Sequence, residues 1–330
     1  MATKSKKNTW KYWLAGILGF ILVVVIVATY YMTGPVVSCV LPAEGAIEAG
    51  WSMRRITSDG RERCYAIYAP SDYDPSQPIP LVVSLHGFLS NPHSQGILSD
   101  WHSLAEDEGF LVVYPQGTRF PQRWDSGMTW GVSGVDDVQF FMDILDDLSS
   151  NAAVDSSRVY VNGFSNGGGM TVYLGCEASQ VIAAMGTVAG AVVENKDCEV
   201  SHPIPVMAFH GTGDPIVPYQ GGEMEYRLLR WGANITDAPI YFIGAPDWTA
   251  RWAQLNRCAP DPEEISAQGD VSGVRYTDCL DDAEVVFYTI DGGGHTWPGG
   301  MPLVITGKTS NDIDATEELW RFFQKYQLEQ

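Results

Sequence analysis

Residues 158–170 read RVYVNGFSNGGGM, which sets Gly163-Phe164-Ser165-Asn166-Gly167 between a β-branched and aromatic run and a glycine-cushioned helix start. This is the sequence form of a nucleophile elbow. A sharp strand-to-helix turn holds the serine in a strained backbone conformation and lifts its hydroxyl above the sheet edge, so the residues two places to either side must be small. Gly163 and Gly167 meet that need. A bare GxSxG also arises by chance as a Gly/Ser turn. What distinguishes this one is the strand before it, the helix after it, and two partners downstream in the order an elbow serine requires.

Outward from the elbow, apolar runs predict strands at 63–68, 80–85, 110–114, 183–189, 205–209 and 284–290, beside the elbow strand at 158–164. Most are continuously apolar, as strands covered on both faces of a largely parallel sheet must be. Between them, Val138, Phe141, Leu145 and Leu148 share one helical face, as do Leu319, Phe322, Phe323 and Tyr326. Alternating β and α segments predict a doubly wound α/β domain over residues 51–330. Residues 219–246 fit that rhythm poorly and read as an inserted loop or cap near the active edge. They include the sequon Asn234-Ile235-Thr236, a mark of surface exposure.

With 45% hydrophobic and 18% charged residues over 330 positions, the chain can bury a sizeable core. Its N-terminus is of another kind. Lys4, Lys6, Lys7 and Lys11 lie in a basic tail, residues 1–12, before an apolar stretch from Trp13 to Met32. Twenty helical residues span roughly 30 Å, the thickness of a bilayer's hydrocarbon core. Trp10, Tyr12 and Trp13 at one end and Tyr30 and Tyr31 at the other resemble interfacial belts, and the lysines favour an N-inside orientation. The expectation is one transmembrane signal-anchor at 13–32, a linker at 33–50 and an extracytoplasmic catalytic domain. A cleaved signal peptide, giving a secreted protein, is the alternative, and a loose lipobox at Cys39 a third.

Net charge is −20, and all forty acidic residues lie beyond the anchor, so without its four lysines the remainder carries −24. Such a surface argues against nucleic acid or anionic lipid as a partner, though solubility alone also accounts for it. Six cysteines in an exported chain allow three disulfides. Cys176 with Cys198 and Cys258 with Cys279 would close short loops worth about 3 kcal/mol each. Cys39 and Cys64 remain, as a third bridge or as free thiols.

A serine hydroxyl is a weak nucleophile at neutral pH; it needs a histidine to take its proton and a carboxylate to fix that histidine's tautomer. PVMAFHGTGDPIVPY puts Asp214 in the loop after an apolar strand, and VVFYTIDGGGHTWPGG puts His295 in a glycine-rich loop after the next long one. The order Ser165, Asp214, His295 is the one an elbow serine demands. Of the other histidines, His93, His102 and His202 carry no signal, and His210 reads as a brace for the acid loop. His86, in LHGF, turns the chain so that the backbone N–H of Phe88, with that of Asn166, can face an oxyanion. Asp136, Asp137, Asp312 and Asp314 read as helix caps. No HExxH, CxxC or ligand-spaced His/Asp cluster calls for a metal, and no cofactor is expected.

In LVVSLHGF, GFLVVYPQGT, GVDDVQFF, SSRVYVNGFSNGGGM, HGTGDPIVPY, the WAQLNRC to TDC cysteine pair and GGGHTWPG, over residues 61–324, the chain resembles the polyhydroxybutyrate-depolymerase and feruloyl-esterase-like α/β hydrolases, related to carbohydrate esterase family 1. The resemblance implies an α/β-hydrolase fold and an extracytoplasmic carboxylic ester hydrolase, with Ser165 as nucleophile, Asp214 as orienting acid and His295 as general base. Its substrates would be feruloyl or acetyl esters on plant polysaccharide, or short hydroxyalkanoate esters. Trp130 and Trp297 are candidate walls for an aromatic or sugar-bearing ester. Two features depart from the family: the loop SGMTWGVSG lacks cysteines many relatives carry there, and 222–246 is longer than the usual connection. Two rival readings stand beside this one, a serine peptidase of the prolyl-oligopeptidase kind and a catalytically dead domain used for binding.

Overall fold

The computed structural model describes residues 45–118, 121–127, 134–194, 198–224, 240–265, 268–302 and 304–329. The expected membrane anchor, Cys39, Trp130 and Asn234 lie outside these. Among the described residues no helix is long and apolar enough to cross a membrane.

Among the described residues ten strands form one sheet: β1 (Gly50–Ser58), β2 (Arg61–Ala69), β3 (Ile79–Leu85), β4 (Leu111–Pro115), β5 (Val154–Phe164), β6 (Ala184–Val188), β7 (Val206–Gly211), β10 (Glu263–Ile265), β11 (Val271–Tyr276) and β12 (Val285–Ile290). Two more, β8 (Gly221–Glu223) and β9 (Tyr241–Ile243), pair as a separate ribbon. The order is β1-β2-β4-β3-β5-β6-β7-β12-β11-β10. From β4 to β12 every neighbouring pair is parallel, and the flanking pairs are antiparallel.

The central strands alternate their apolar side chains between two cores. Leu81, Val83 and Leu85 of β3 enter one, while Val82 enters the other. The first core is closed by α3 (Asp137–Asn151), α4 (Asn166–Glu177) and α5 (Ala245–Leu255), through residues such as Phe140, Ile144, Leu174 and Trp252. The second is closed by α2 (Trp101–Glu108) and α6 (Ala315–Phe323), through Trp101, Leu319 and Phe323, while Leu98 joins it from α1 (Pro92–Ser99). This is the doubly wound sheet expected, an α/β-hydrolase-like fold.

All seven expected strands are present. The antiparallel outer strands β1, β10 and β11 were not foreseen, because at a sheet edge only one face is buried and polar side chains interrupt the run: β10 is Glu-Glu-Ile, with both glutamates exposed. The domain also takes in the end of the expected linker. Ile47 is buried, with its N–H bonded to the carbonyl of Asn151, and Gly50 opens β1.

Two registers matter for function. Leu85 at the end of β3 pairs with Gly163 near the end of β5, which brings the His86-Gly87-Phe88 turn beside the elbow. Gly211 at the end of β7 pairs with Ile290 at the end of β12, so the loops carrying Asp214 and His295 leave the sheet together. Cys176–Cys198 and Cys258–Cys279 are bonded as expected, and Cys64 is disulfide-bonded too.

Candidate active site

Ser165 joins β5 to α4 with φ 55° and ψ −118°, a left-handed, strained conformation for a residue with a Cβ. Its N–H donates to Val188 and its carbonyl accepts from Gly169 and Ala191, so the turn is fixed on three sides. The flanking glycines are required by contact as well as by conformation. A Cβ on Gly163 would lie 2.3 Å from the carbonyl of Gly167, and one on Gly167 would lie 2.2 Å from the carbonyl oxygen of Leu85.

Asp214 is buried in the loop after β7. Its Oδ1 accepts from the backbone N–H groups of Ile216 (2.8 Å) and Val217 (2.9 Å), and its Oδ2 lies 2.7 Å from Nδ1 of His295. Nε2 of His210 approaches Oδ2 to 3.3 Å while donating to the carbonyl of Val217 at 2.9 Å, the brace expected of it. Burial alone would push the Asp214 carboxyl up; the charges and hydrogen bonds of His295 and His210 outweigh it and hold the group well below the usual carboxylate range. An ionised carboxylate can only accept, so Nδ1 of His295 donates to it, and in the neutral form of the ring Nε2 is the acceptor. The acid and histidine loops are tied by the N–H of Gly213 donating to Gly293 (2.9 Å).

Ser165 and His295 open onto one pocket of about 390 Å³, which Phe88 and Asn166 also line. Asn166 is the first residue of α4, where backbone N–H groups have no intrahelical acceptor. Phe88 follows the His86 turn, and His86 is architectural, as expected. It is fully buried, its Nδ1 donates to the carbonyl of Gly87 (2.7 Å), and its Nε2 accepts from the N–H of Gly117 (2.9 Å). Burial pushes its pKa down to about 4, so the ring is neutral at pH 7.

The rest of the lining is mostly apolar: Ile216, Met224, Phe242, Met301 and Ile305 line it with Phe164, beside the hydroxyls of Ser90, Ser94 and Thr306. Trp297 does not. It is fully buried behind Phe164, its indole N–H donating to Thr316 at 2.9 Å, because the chain after His295 turns it into the core under α6. Trp130 lies outside the described residues. Asp136 and Asp314 cap helices as expected, but Asp137 and Asp312 do not. Asp312 accepts from the N–H of Asp270, and Asp137 is buried against Arg63 at 2.7 Å. Among the described residues no group of His, Cys, Asp or Glu is gathered as a metal centre needs.

Residues 63–221 match the family model described as Esterase PHB depolymerase. Feruloyl esterase B of Piromyces equi is 30% identical over 234 residues, 68% of this chain and 41% of that protein. The segment 63–221 belongs to this esterase family. Another relative is a bifunctional acetylxylan esterase/xylanase of Neocallimastix patriciarum, 36% identical over 162 residues, 49% of this chain and 23% of its own length. The chain therefore spans less than half of each of these two relatives. An acetyl xylan esterase from Aspergillus awamori shares the fold, with a TM-score of 0.57 at 18% identity over 83% of this chain and 99% of that one.

The family motifs pointed to Ser165, Asp214 and His295, and the structure bonds Asp214 to His295 and sets Ser165 and His295 on one pocket; they did not point to the pocket walls. Ile216 and Val217 could have been foreseen, because they follow Asp214 in GDPIVPY and donate to its carboxylate. Met224 and Phe242 flank the irregular segment, where no periodicity says which side chain faces inward.

Proposed function

We propose that this domain is a serine carboxylic ester hydrolase that works through an acyl-enzyme. Ser165 Oγ attacks the ester carbonyl as its proton passes to Nε2 of His295, while Asp214 keeps Nδ1 protonated and stabilises the imidazolium. The N–H groups of Phe88 and Asn166 receive the oxyanion. The tetrahedral intermediate collapses, the alcohol leaves with the proton from His295, and water repeats the sequence in reverse to release the acid and restore the serine. The observation that carries this reading is the 2.7 Å Asp214–His295 bond in a pocket that Ser165 shares.

The substrate class follows from the relatives' names and the lining: feruloyl or acetyl esters on polysaccharide, or short hydroxyalkanoate esters, with the apolar wall taking the acyl group. The bonded cysteines suit an oxidising compartment, and on this reading the domain works outside the cytoplasm, tethered by residues 13–32. The test is turnover of p-nitrophenyl acetate, methyl ferulate and a hydroxybutyrate ester by the full chain in detergent, against Ser165→Ala. Hydrolysis lost in the variant is the expected result; equal rates in both would reject the mechanism.

A further inference from the structure

Two amides act as an oxyanion hole only if their separation is fixed, and the two proposed here come from different turns. Phe88 follows β3 and Asn166 opens α4. Residues 116–118 and 121–126 span them. On the Phe88 side, Gly117 N–H donates to Nε2 of His86 (2.9 Å), Trp124 Nε1 donates to the carbonyl of His86 (2.8 Å), and Leu89 N–H donates to the carbonyl of Gln122 (2.9 Å). On the other side, Trp124 N–H donates to Oδ1 of Asn166 (2.8 Å), and Nδ2 of Asn166 reaches Ser126 Oγ (3.3 Å). Trp124 therefore touches both turns.

This bridge is itself anchored at its two ends by one buried ion pair. Arg63 on β2 donates to the carbonyl of Gln116 (3.2 Å) and to Oδ1 of Asp137 (2.7 Å), and Oδ2 of Asp137 accepts from the N–H of Asp125 (2.7 Å). Arg63 is 4% exposed and Asp137 3%, and the guanidinium lies 3.8 Å from the ring centre of Phe140. Burying two charges is costly, and apolar residues of similar volume often give equal stability. Apolar residues could not hold Gln116 and Asp125. Since Asp137 stands at the first position of α3, its ordinary use would be a helix-end charge; here both oxygens are turned instead to Arg63 and the bridge.

We infer that Arg63 and Asp137 are positioning residues for the oxyanion site, acting through residues 116–118 and 121–126 to set the distance between the amides of Phe88 and Asn166. The inference rests on the serine hydrolase reading above. It separates from a stabilising role in one experiment. In the full chain, Asp137→Asn should lower the unfolding midpoint and activity together, whatever the role. The double variant Arg63→Met/Asp137→Leu replaces the pair with apolar side chains, so the midpoint should return toward wild type.

Under the positioning role, kcat for p-nitrophenyl acetate in that double variant stays down by about tenfold or more, with KM within about twofold. Full loss of one oxyanion donor costs about 10²- to 10³-fold. Binding of phenylboronic acid, whose serine adduct places an oxygen in the oxyanion site, should weaken in parallel. A folded double variant with wild-type kcat overturns the inference. Should the double variant not fold, Trp124→Phe removes one donor to His86, and an unchanged kcat there overturns it equally. If wild type is no faster than Ser165→Ala, the hydrolase reading itself has failed and the positioning role falls with it; active wild type beside a fully active double variant sinks the positioning role alone.

Discussion

Replacing Asp214 with asparagine changes one atom and should nearly abolish turnover, for a reason that lies in the opposite side of the carboxylate. Oδ1 accepts two backbone N–H groups, from Ile216 and Val217, while Oδ2 faces His295 at 2.7 Å. An asparagine has one oxygen to offer. Turned toward His295, it would leave its NH₂ against the part-buried N–H of Ile216 and the buried N–H of Val217, a buried one costing about 1–3 kcal/mol when unsatisfied. The oxygen therefore stays with Ile216 and Val217, and the NH₂ points at Nδ1 of His295. That nitrogen must then accept, which moves the imidazole proton to Nε2, the atom that in the proposed mechanism takes the proton of Ser165. The wrong tautomer in a serine triad lowers kcat by about 10⁴-fold, roughly 5.5 kcal/mol in the barrier. The assay is initial rate on p-nitrophenyl acetate with purified full chain, beside a thermal melt showing that the fold is kept. A folded Asp214→Asn protein within tenfold of wild type would refute the tautomer reasoning.

Two further outcomes follow from the geometry. His86 has a folded pKa of about 4 against an ordinary 6.5, so the unfolded chain binds its proton first; the stability it contributes is complete above pH 6.5 and is lost as pH falls toward 4, about 3 kcal/mol in all. Urea midpoints measured between pH 7 and pH 4.5 should fall less steeply for His86→Gln than for wild type, and parallel slopes would contradict this; Asp214 acts in a lower window, since its folded value lies below the carboxylate range. Gly167→Ala would drive a methyl to 2.2 Å from the carbonyl oxygen of Leu85 and 2.6 Å from that of His86, so stability should drop by about 3 kcal/mol or more, beyond ordinary overpacking. A urea midpoint equal to wild type would show that the elbow is looser than these contacts require.

The central strands were legible because a strand covered on both faces has no polar positions to interrupt it. Residues 110–114, FLVVY, can be nothing but interior, and β4 is buried throughout. At the edges that signal fails. In β1, GWSMRRITS, Arg54 and Arg55 sit side by side as in an exposed turn, yet Arg54 folds back against Asp147 and is 6% exposed. Its apolar stem joins the buried surface while its charge is paired 93 residues away. No local pattern carries that information.

The candidate site divides along the same line. Ser165, Asp214 and His295 could be singled out in sequence because the proposed chemistry admits few residue types and the elbow admits only glycine two places to either side of its serine. Pocket walls were not, because one apolar side chain fills space about as well as another, and Trp297 failed as a wall for that reason: its type suited a stacking surface, but its indole was needed in the core against Thr316. Asp137 failed differently. A carboxylate at a helix start has a local explanation, and that explanation concealed a pairing with Arg63, 74 positions earlier, which local reasoning had no means to see. Residues that perform a reaction are constrained by their own chemistry and show in sequence. Residues that hold the performers in place are constrained by distance, and distance between segments exists only once the sheet order has brought β2 and α3 around the same loop.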